Sequence, residues 1–330
     1  MQAVVVSEIH REWKLIELPD PRPQAGQVLI RVRYSGMCGT DVHLHRGQFP
    51  AKLPVVAGHE PTGEIVEVGA GVTDFKVGDR VGVVWDQKVC GRCPSCQKGV
   101  SCPNAQTWLD LGGGNSELML AWASGCALIP DGLALEAAAP IFCAGYTVMS
   151  ALRNASPAPG ERVAVLGVGG LGHLAVQVAH ALGLETFAIT GKPDKRAELL
   201  ELGADEVVVS GDDPGKALLD AGGADIVIAT TSSAKQIGSA FNGLRPRGRL
   251  VSTGVADGPV AIDSFGAMIA FREFRGAVPD KRSHLTEILE LAAKGKVEPK
   301  LEIYPLARAN EVRDRLEAGK VRYRAVLAHA

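Results

Sequence analysis

Hydrophobic positions are spaced in two different ways along this chain. Over the first part, residues 27–34 (QVLIRVRY) alternate apolar and polar, which predicts a half-buried strand. Residues 64–68 and 80–84 predict further short strands, with Gly63, Gly69, Gly71, Gly78 and Asp79 marking turns. From about Ala144 compact apolar runs alternate with helical spacing. Strands are predicted at 163–166, 186–190, 206–209, 225–229 and 249–252, and helices at 171–182 and 194–202. That alternation indicates a parallel sheet covered on both faces. The tail changes again: 284–294 and 307–318 read as amphipathic helices and 325–328 as a last strand. Between the two regimes, residues 89–104 hold too many Cys, Gly and Pro for regular structure. They predict a lobe closed by something other than a core.

A length of 330 residues makes two domains the default. Charge adds little: the net value is −2, which gives no sign of a nucleic-acid or anionic-membrane partner. The longest apolar stretch, 163–184, is interrupted by five glycines, His173, Gln177 and His180, and reads as strand, turn and helix, not as a membrane span. With no leader-like pattern at the start, a cytoplasmic location is expected. In that setting the seven cysteines read as metal ligands before disulfides.

Two local motifs carry chemistry. Gly167-Val168-Gly169-Gly170-Leu171-Gly172 follows a predicted strand and opens a predicted helix. That context makes it a site where backbone approaches a dinucleotide pyrophosphate and helix N–H groups receive it. The next strand ends Thr190-Gly191-Lys192 with no carboxylate at the position that holds ribose hydroxyls in NAD sites. With Lys192 and Lys195 close by, NADP(H) is favoured over NAD(H). Asp194 keeps the ribose alternative open. The second motif is Cys90-x2-Cys93-x2-Cys96-x5-Cys102. Four thiols in one short loop suit tetrahedral zinc with no open position, hence a structural metal.

Other candidates are scattered: Cys38 in GMCGTD, His59 and Glu60 in GHE, and Cys143 in IFCAGYT. Each alone has a bland reading, and spacing does not assemble them. Together with the four-cysteine run, the glycine loop, LGAD (202–205) and GKVRYRAVL (319–327), they make the chain resemble the zinc-containing medium-chain dehydrogenase/reductase family nearly end to end. The nearest likeness is to its alcohol dehydrogenases and cinnamyl-alcohol-type aldehyde reductases.

The resemblance implies an α/β protein: a Rossmann parallel-sheet domain plus a mainly β, GroES-like catalytic domain, with the substrate cleft between them. The expected boundaries are 1–145 (catalytic, zinc lobe 89–104), 146–278 (dinucleotide-binding) and 279–330 (return to the catalytic domain). It implies two Zn²⁺ per chain. Cys38, His59 and Cys143 would bind the catalytic one, with Glu60 able to enter the coordination sphere and Asp41 orienting His59. Thr40 and His43 would relay the proton. Thr147 and Arg324 join the cofactor contacts, with Arg324 meeting phosphates and His173 near the pyrophosphate. Trp85 becomes an aromatic wall of the substrate pocket. The expected reaction interconverts a primary or secondary alcohol with its aldehyde or ketone, in a homo-oligomer, dimer or tetramer.

The lobe is shorter before its last cysteine than is usual in the family. A polyol- or threonine-type dehydrogenase, or an imine or C=C reductase on the same fold, stands as the alternative. A zinc-free quinone reductase is opposed by the ligand set, and a non-catalytic binding protein by the presence of both Thr40 and His43.

Overall fold

The structure is a computed structural model and describes residues 1–48 and 50–329. The chain forms two compact units: Met1–Cys143 with Pro299–Ala330, and Ala144–Glu298.

The first unit is built on the strand Gln27–Met37. One edge of it pairs antiparallel with Glu60–Val68. The other edge is shared by Leu118–Trp122 over its first half and Arg324–Ala328 over its second. Arg80–Val83 with Cys126–Leu128, and Leu301–Pro305 on the far side, complete a seven-stranded sheet. The alternation at 27–34 predicted a half-buried strand, but only Arg31 in this strand is exposed. Pairing on both edges and packing on both faces leave it central, so residues such as Gln27 and Ser35 are buried with it. A small sheet, Lys14–Glu17, Gln2–Val6 and Val55–Val56, stands apart. So does a two-stranded ribbon, Asp86–Lys88 with Gln106–Thr107. The cysteine-rich segment springs from this ribbon.

The second unit is a six-stranded, all-parallel sheet. Its order is Glu206–Val209, Glu185–Thr190, Arg162–Leu166, Ala224–Ala229, Leu244–Ser252, Glu273–Gly276. Numbered within the unit this is 3-2-1-4-5-6, the doubly wound order, and its direction reverses beside Arg162–Leu166. Val163, Ala164, Val165, Ile226, Val227 and Ile228 are fully buried, as continuous apolar runs between two helical layers must be. The glycine loop leaves the carboxyl end of Arg162–Leu166, at the switch point where doubly wound sheets bind ligands. The fold is therefore a Rossmann-type parallel sheet plus a mainly β, GroES-like unit. Residues 163–184 form a strand and the helix Gly172–Ala181, and no single helix among the described residues is long and apolar enough to cross a membrane.

One boundary differs from expectation. The helix Arg282–Ala293, read as part of the return, lies in the second unit, and the chain re-enters the first only at Pro299. Its buried Leu285, Ile288 and Leu289 face that unit's core. Glu287 pairs with Arg153, and His284 Nδ1 meets Asp280 at 2.8 Å. An amphipathic pattern tells that a helix has an apolar side, not which core that side joins.

Packing near the end of the first segment is tight at Gly82. A Cβ there would fall within the buried ring of Phe142, the residue before Cys143. Gly82→Ala is expected to cost about 1–3 kcal/mol of stability as an overpacked core. Guanidinium unfolding followed by tryptophan fluorescence checks this selectively, because Trp13, Trp85, Trp108 and Trp122 all lie in the first unit.

Candidate functional site

Four dispersed side chains converge in the first unit. The ligand atoms of Cys38, His59, Glu60 and Cys143 all lie within 4.8 Å of one another. Cys38 caps the helix Gly39–His45. Its Sγ accepts the Thr40 N–H at 3.2 Å, and its own N–H donates to Asp41 Oδ2 at 2.9 Å. That reciprocal arrangement is a capping box with a thiol in the place of a hydroxyl. His59 follows Gly58, whose φ of +94° needs glycine. His59 Nε2 lies 3.1 Å from Cys38 Sγ and 3.8 Å from Glu60 Oε1, while Nδ1 turns toward Asp41 Oδ1 at 3.8 Å. Both facing atoms, Nδ1 and Oδ1, are buried and unpartnered by hydrogen-bond criteria. Asp41 thus stands behind both Cys38 and His59. This is the arrangement that outer-shell carboxylates adopt behind metal-bound imidazoles. Cys143 arrives at the end of the buried short helix Ala139–Phe142.

Glu60 opens the strand Glu60–Val68 opposite Gly36, and a Cβ at Gly36 would collide with its carboxylate. Arg324, on the other side of the same central strand, donates from one terminal nitrogen to Glu60 Oε1 and Oε2 at 2.5 and 2.6 Å. Arg324 was expected to meet cofactor phosphates. Its strand register sets its guanidinium against this buried carboxylate, a contact that the sequence reading did not include.

The electrostatics are those of tightly shared protons. The hydrogen bond with Cys143 holds the Cys38 thiol well below its ordinary value, against the effect of burial and with help from His59 and Arg324. The same bond, then burial, pushes Cys143 well up. Burial pulls His59 down, but the Cys38 and Asp41 charges outweigh it and hold the imidazole well above its ordinary value. Burial raises Glu60, with Arg324 opposing. A divalent cation takes over the role of those protons when it binds, since thiolate and neutral imidazole are its ligand forms.

The four-cysteine lobe passes a stricter geometric test. The Sγ separations are 3.9 Å for Cys90–Cys96, 3.5 Å for Cys93–Cys96, 3.8 Å for Cys93–Cys102 and 3.6 Å for Cys102–Cys90. A tetrahedron of sulfurs at a Zn–S distance of about 2.3 Å has edges of about 3.8 Å. A disulfide would bring two sulfurs to about 2.05 Å, and none of the cysteines is so paired. Backbone N–H groups of Arg92 and Cys93 lower the Cys90 thiol to about 6. Burial and the neighbouring thiols raise Cys96 to about 12. The shortened spacing therefore does not spoil a closed four-sulfur site.

In the second unit, Gly167 has φ +87°, and a Cβ at Gly172 would strike the Gly167 carbonyl. Gly169 and Gly191 have open space around them, and the helix Gly172–Ala181 begins at Leu171 without a side-chain cap. Uncapped N–H groups beside open glycines fit a pyrophosphate. Gly170 lies in this turn, and His173 is fully buried, with Nδ1 3.1 Å from the Gly169 carbonyl. Thr190 is buried, Lys192 exposed and Lys195 half-buried. Arg196 is engaged by Glu206 and the Val207 carbonyl. Thr147 is buried in the first turns of the helix Ala144–Ala155.

Around His59 the sequence reading named Trp85, and noted residues 108–115 (WLDLGGGN) only as an unusual segment that could shape the cleft, without placing Trp108 at this ring. Both rings lie against the imidazole, at centroid distances of 5.4 and 5.8 Å. The signal for Trp108 was its place just beyond the last cysteine, opposite Trp85 across the lobe. Thr40 and His43 are half-buried on the helix that Cys38 caps, and His43 Nδ1 lies 2.6 Å from Gln48 Oε1. Cys126 is buried. His45 is half-buried with its ring against Trp13.

Comparison with known proteins agrees across the whole chain. Residues 24–131 match the family model described as alcohol dehydrogenase GroES-like domain, and residues 170–294 the one described as zinc-binding dehydrogenase. An alcohol dehydrogenase of Geobacillus stearothermophilus is 38% identical over 334 residues, covering 99% of each chain. The alcohol dehydrogenase of Aeropyrum pernix superposes with a TM-score of 0.91 at 30% identity, covering 100% of both chains. A cinnamyl alcohol dehydrogenase of Sorghum bicolor gives 0.90 at 30% identity, covering 99% of this chain and 97% of its own.

Arg324→Met would leave a buried carboxylate uncompensated, at a cost of about 3–5 kcal/mol near neutrality. The sign with pH follows from Glu60, whose folded pKa is already raised and loses Arg324's opposing pull in the variant. A group raised on folding contributes most below its unfolded pKa and loses that contribution as pH rises through the folded one. The variant's deficit should therefore shrink from pH 7 toward pH 5, as read by unfolding free energies at both values. A deficit that grows on acidification would contradict the assignment.

Proposed function

The chain belongs to the zinc-type medium-chain dehydrogenase/reductase family, and from that premise we propose that it interconverts an alcohol with its aldehyde or ketone using NADP(H). The observation that carries the reading is the convergence of Cys38, His59, Glu60 and Cys143 within 4.8 Å, backed by Asp41. Cys38, His59 and Cys143 would hold the reactive-site metal, with Glu60 a fourth donor within reach. Cys90, Cys93, Cys96 and Cys102 would hold the structural one. When bound, zinc polarises the substrate oxygen and the nicotinamide ring exchanges hydride.

The chain's own residues supply position and proton movement. Asp41 restrains Cys38 and His59 together. Thr40 presents its hydroxyl one residue into the helix that Cys38 caps, and His43 follows one turn later on the same side. His43 Nδ1–H donates to Gln48 Oε1, which leaves Nε2 to accept a proton passed from Thr40. Histidine suits this relay because its charge changes near neutrality. Trp85 bounds the space beside His59 and would limit substrate shape.

The NADP(H) preference rests on the end of the strand Glu185–Thr190. No carboxylate follows there, Gly191 leaves room, and Lys192 and Lys195 offer charge to a 2′-phosphate. Polyol and threonine oxidation and C=C reduction are separated from simple alcohol chemistry by a substrate panel. We also infer a homo-oligomer. Phe265, Met268, Ile269 and Phe271 are exposed beside the outermost strand Glu273–Gly276, an apolar cluster at a sheet edge that a second copy would cover.

Steady-state kinetics with NADPH and NADH against alcohols and aldehydes test the first reading. The expected outcome is a NADPH preference of about tenfold or more. Equal or better NADH use overturns the cofactor assignment. Cys38→Ser should lower turnover by roughly 10³-fold or more and reduce the metal content from two per chain to one; an active variant would sink the metal mechanism. Light scattering should give at least twice the 34.6 kDa chain mass, and Ile269→Glu should shift the protein toward monomer.

A further inference from the structure

Both tryptophans beside His59 are anchored to one small piece of structure. Trp85 immediately precedes the ribbon strand Asp86–Lys88, and Trp108 immediately follows its partner Gln106–Thr107. The Trp108 N–H donates to the Trp85 carbonyl at 3.3 Å, continuing the ribbon's ladder to its base. Everything between the two ribbon strands is the four-cysteine lobe. The ring geometry at the base is mutual. Trp108 stacks on the His59 imidazole at 5.8 Å and 30°. Trp85 meets the imidazole edge-on at 5.4 Å and 70°, and the two indoles meet each other at 5.6 Å and 81°.

The polar contacts of His59 are made through its two ring nitrogens: Nε2 toward Cys38 and Glu60, Nδ1 toward Asp41. Contacts of that kind leave the ring free to rock about the line joining its two nitrogens. A stacked face removes that freedom. Trp108 is 2% exposed, and its Nε1–H is buried without a hydrogen-bond partner. Burying that N–H carries a cost that an aliphatic core residue would avoid. What an aromatic ring adds at this position is a face stacked against the imidazole.

We propose that Trp108 and Trp85 are positioning residues for His59, and that closure of the cysteine lobe sets both indoles through the ribbon they flank. The lobe then acts on the reactive site within the first unit, by holding the orientation of one metal-ligating ring. This rests on the reading of Cys38, His59 and Cys143 as metal ligands.

Transfer of metal from the zinc-loaded protein to a chromogenic chelator tests it. The phase that Cys38→Ser abolishes identifies the metal held with His59; if the wild type has no such phase, the metal reading itself fails. Given that phase, Trp108→Leu should accelerate it about 10–100-fold, as loss of an outer partner of a metal-bound histidine does. Trp108→Phe, which keeps a stacking ring, should stay within about threefold of wild type. Cys96→Ser opens the lobe and should accelerate the same phase. The double variant Cys96→Ser/Trp108→Leu should release metal no faster than Trp108→Leu alone, because both changes act through one ring. A wild-type rate in Trp108→Leu, or multiplying effects in the double variant, overturns the proposal. If Trp108→Leu does not fold, Cys96→Ser is compared in the wild-type and Trp85→Leu backgrounds, since Trp85 is the other ring on His59. A smaller effect of opening the lobe in the Trp85→Leu background supports the link, and equal effects overturn it.

Discussion

Burying charge beside the reactive cluster is the constraint that shapes the first unit. Glu60 and Arg324 are both out of solvent, with contacts of 2.5 and 2.6 Å between them. Each charge alone would carry a desolvation penalty of several kcal/mol, and only close pairing makes the burial tolerable. Three adjacent strands are needed to bring them together. Glu60–Val68 carries the carboxylate, Arg324–Ala328 carries the guanidinium, and Gln27–Met37 passes between with Gly36 giving up its side chain to make room. The C-terminal segment is therefore not an appendage. Its first strand residue neutralises a carboxylate contributed 264 positions earlier. The chain leaves the first unit at Cys143 and returns at Pro299, and the returning segment brings this partner with it.

The same cluster shows how thiol chemistry depends on local fold. Cys38 sits at a helix N-terminus, with the Thr40 N–H on its sulfur. Cys143 sits at the end of a buried short helix, with its thiol hydrogen-bonded to Cys38. The hydrogen bond between them holds the Cys38 thiol well below its ordinary value and, with burial, pushes the Cys143 thiol well above. A metal held there would take both sulfurs as thiolates. The free energy of forming the site is thus tied to folding of both segments, and neither half of it exists without the sheet between them.

Much of this was legible in the sequence, and the division follows physical range. The four-cysteine run and the glycine loop are local. Their partners lie within a few residues, so spacing alone reports geometry, and the sulfur separations near 3.8 Å fit the tetrahedron that the spacing implied. The parallel sheet was legible because βαβ units impose a repeating pattern. Cys38, His59 and Cys143 were individually mute and were joined only by resemblance, since strand register brings them together. Arg324 was singled out by its motif but its buried partner Glu60 was not, because a motif records that a residue matters and not what it touches. Residues 27–34 read as half-buried because alternation reports one covered face, and a strand paired on both edges has two. The helix Arg282–Ala293 went to the wrong unit for a related reason: an apolar stripe carries no address.

Trp108 marks the limit of that reading from the other direction. Its place beyond the last cysteine marks its segment without saying what the ring touches, and it does lie in the first unit's core. What separates it from an ordinary core aromatic is where its ring is placed, stacked on an imidazole that already has partners at both ring nitrogens. Tetrahedral closure by four sulfurs fixes the path of the chain between the two ribbon strands far more tightly than a loop of Gly, Pro and Ser can fix itself. A rigid lobe at one end of a ribbon needs a rigid base at the other to transmit anything. The two mutually perpendicular indoles form that base. On this view the shortened lobe serves the reactive site by stiffness, and its metal is structural in the sense that it sets the pose of a ring belonging to the other site.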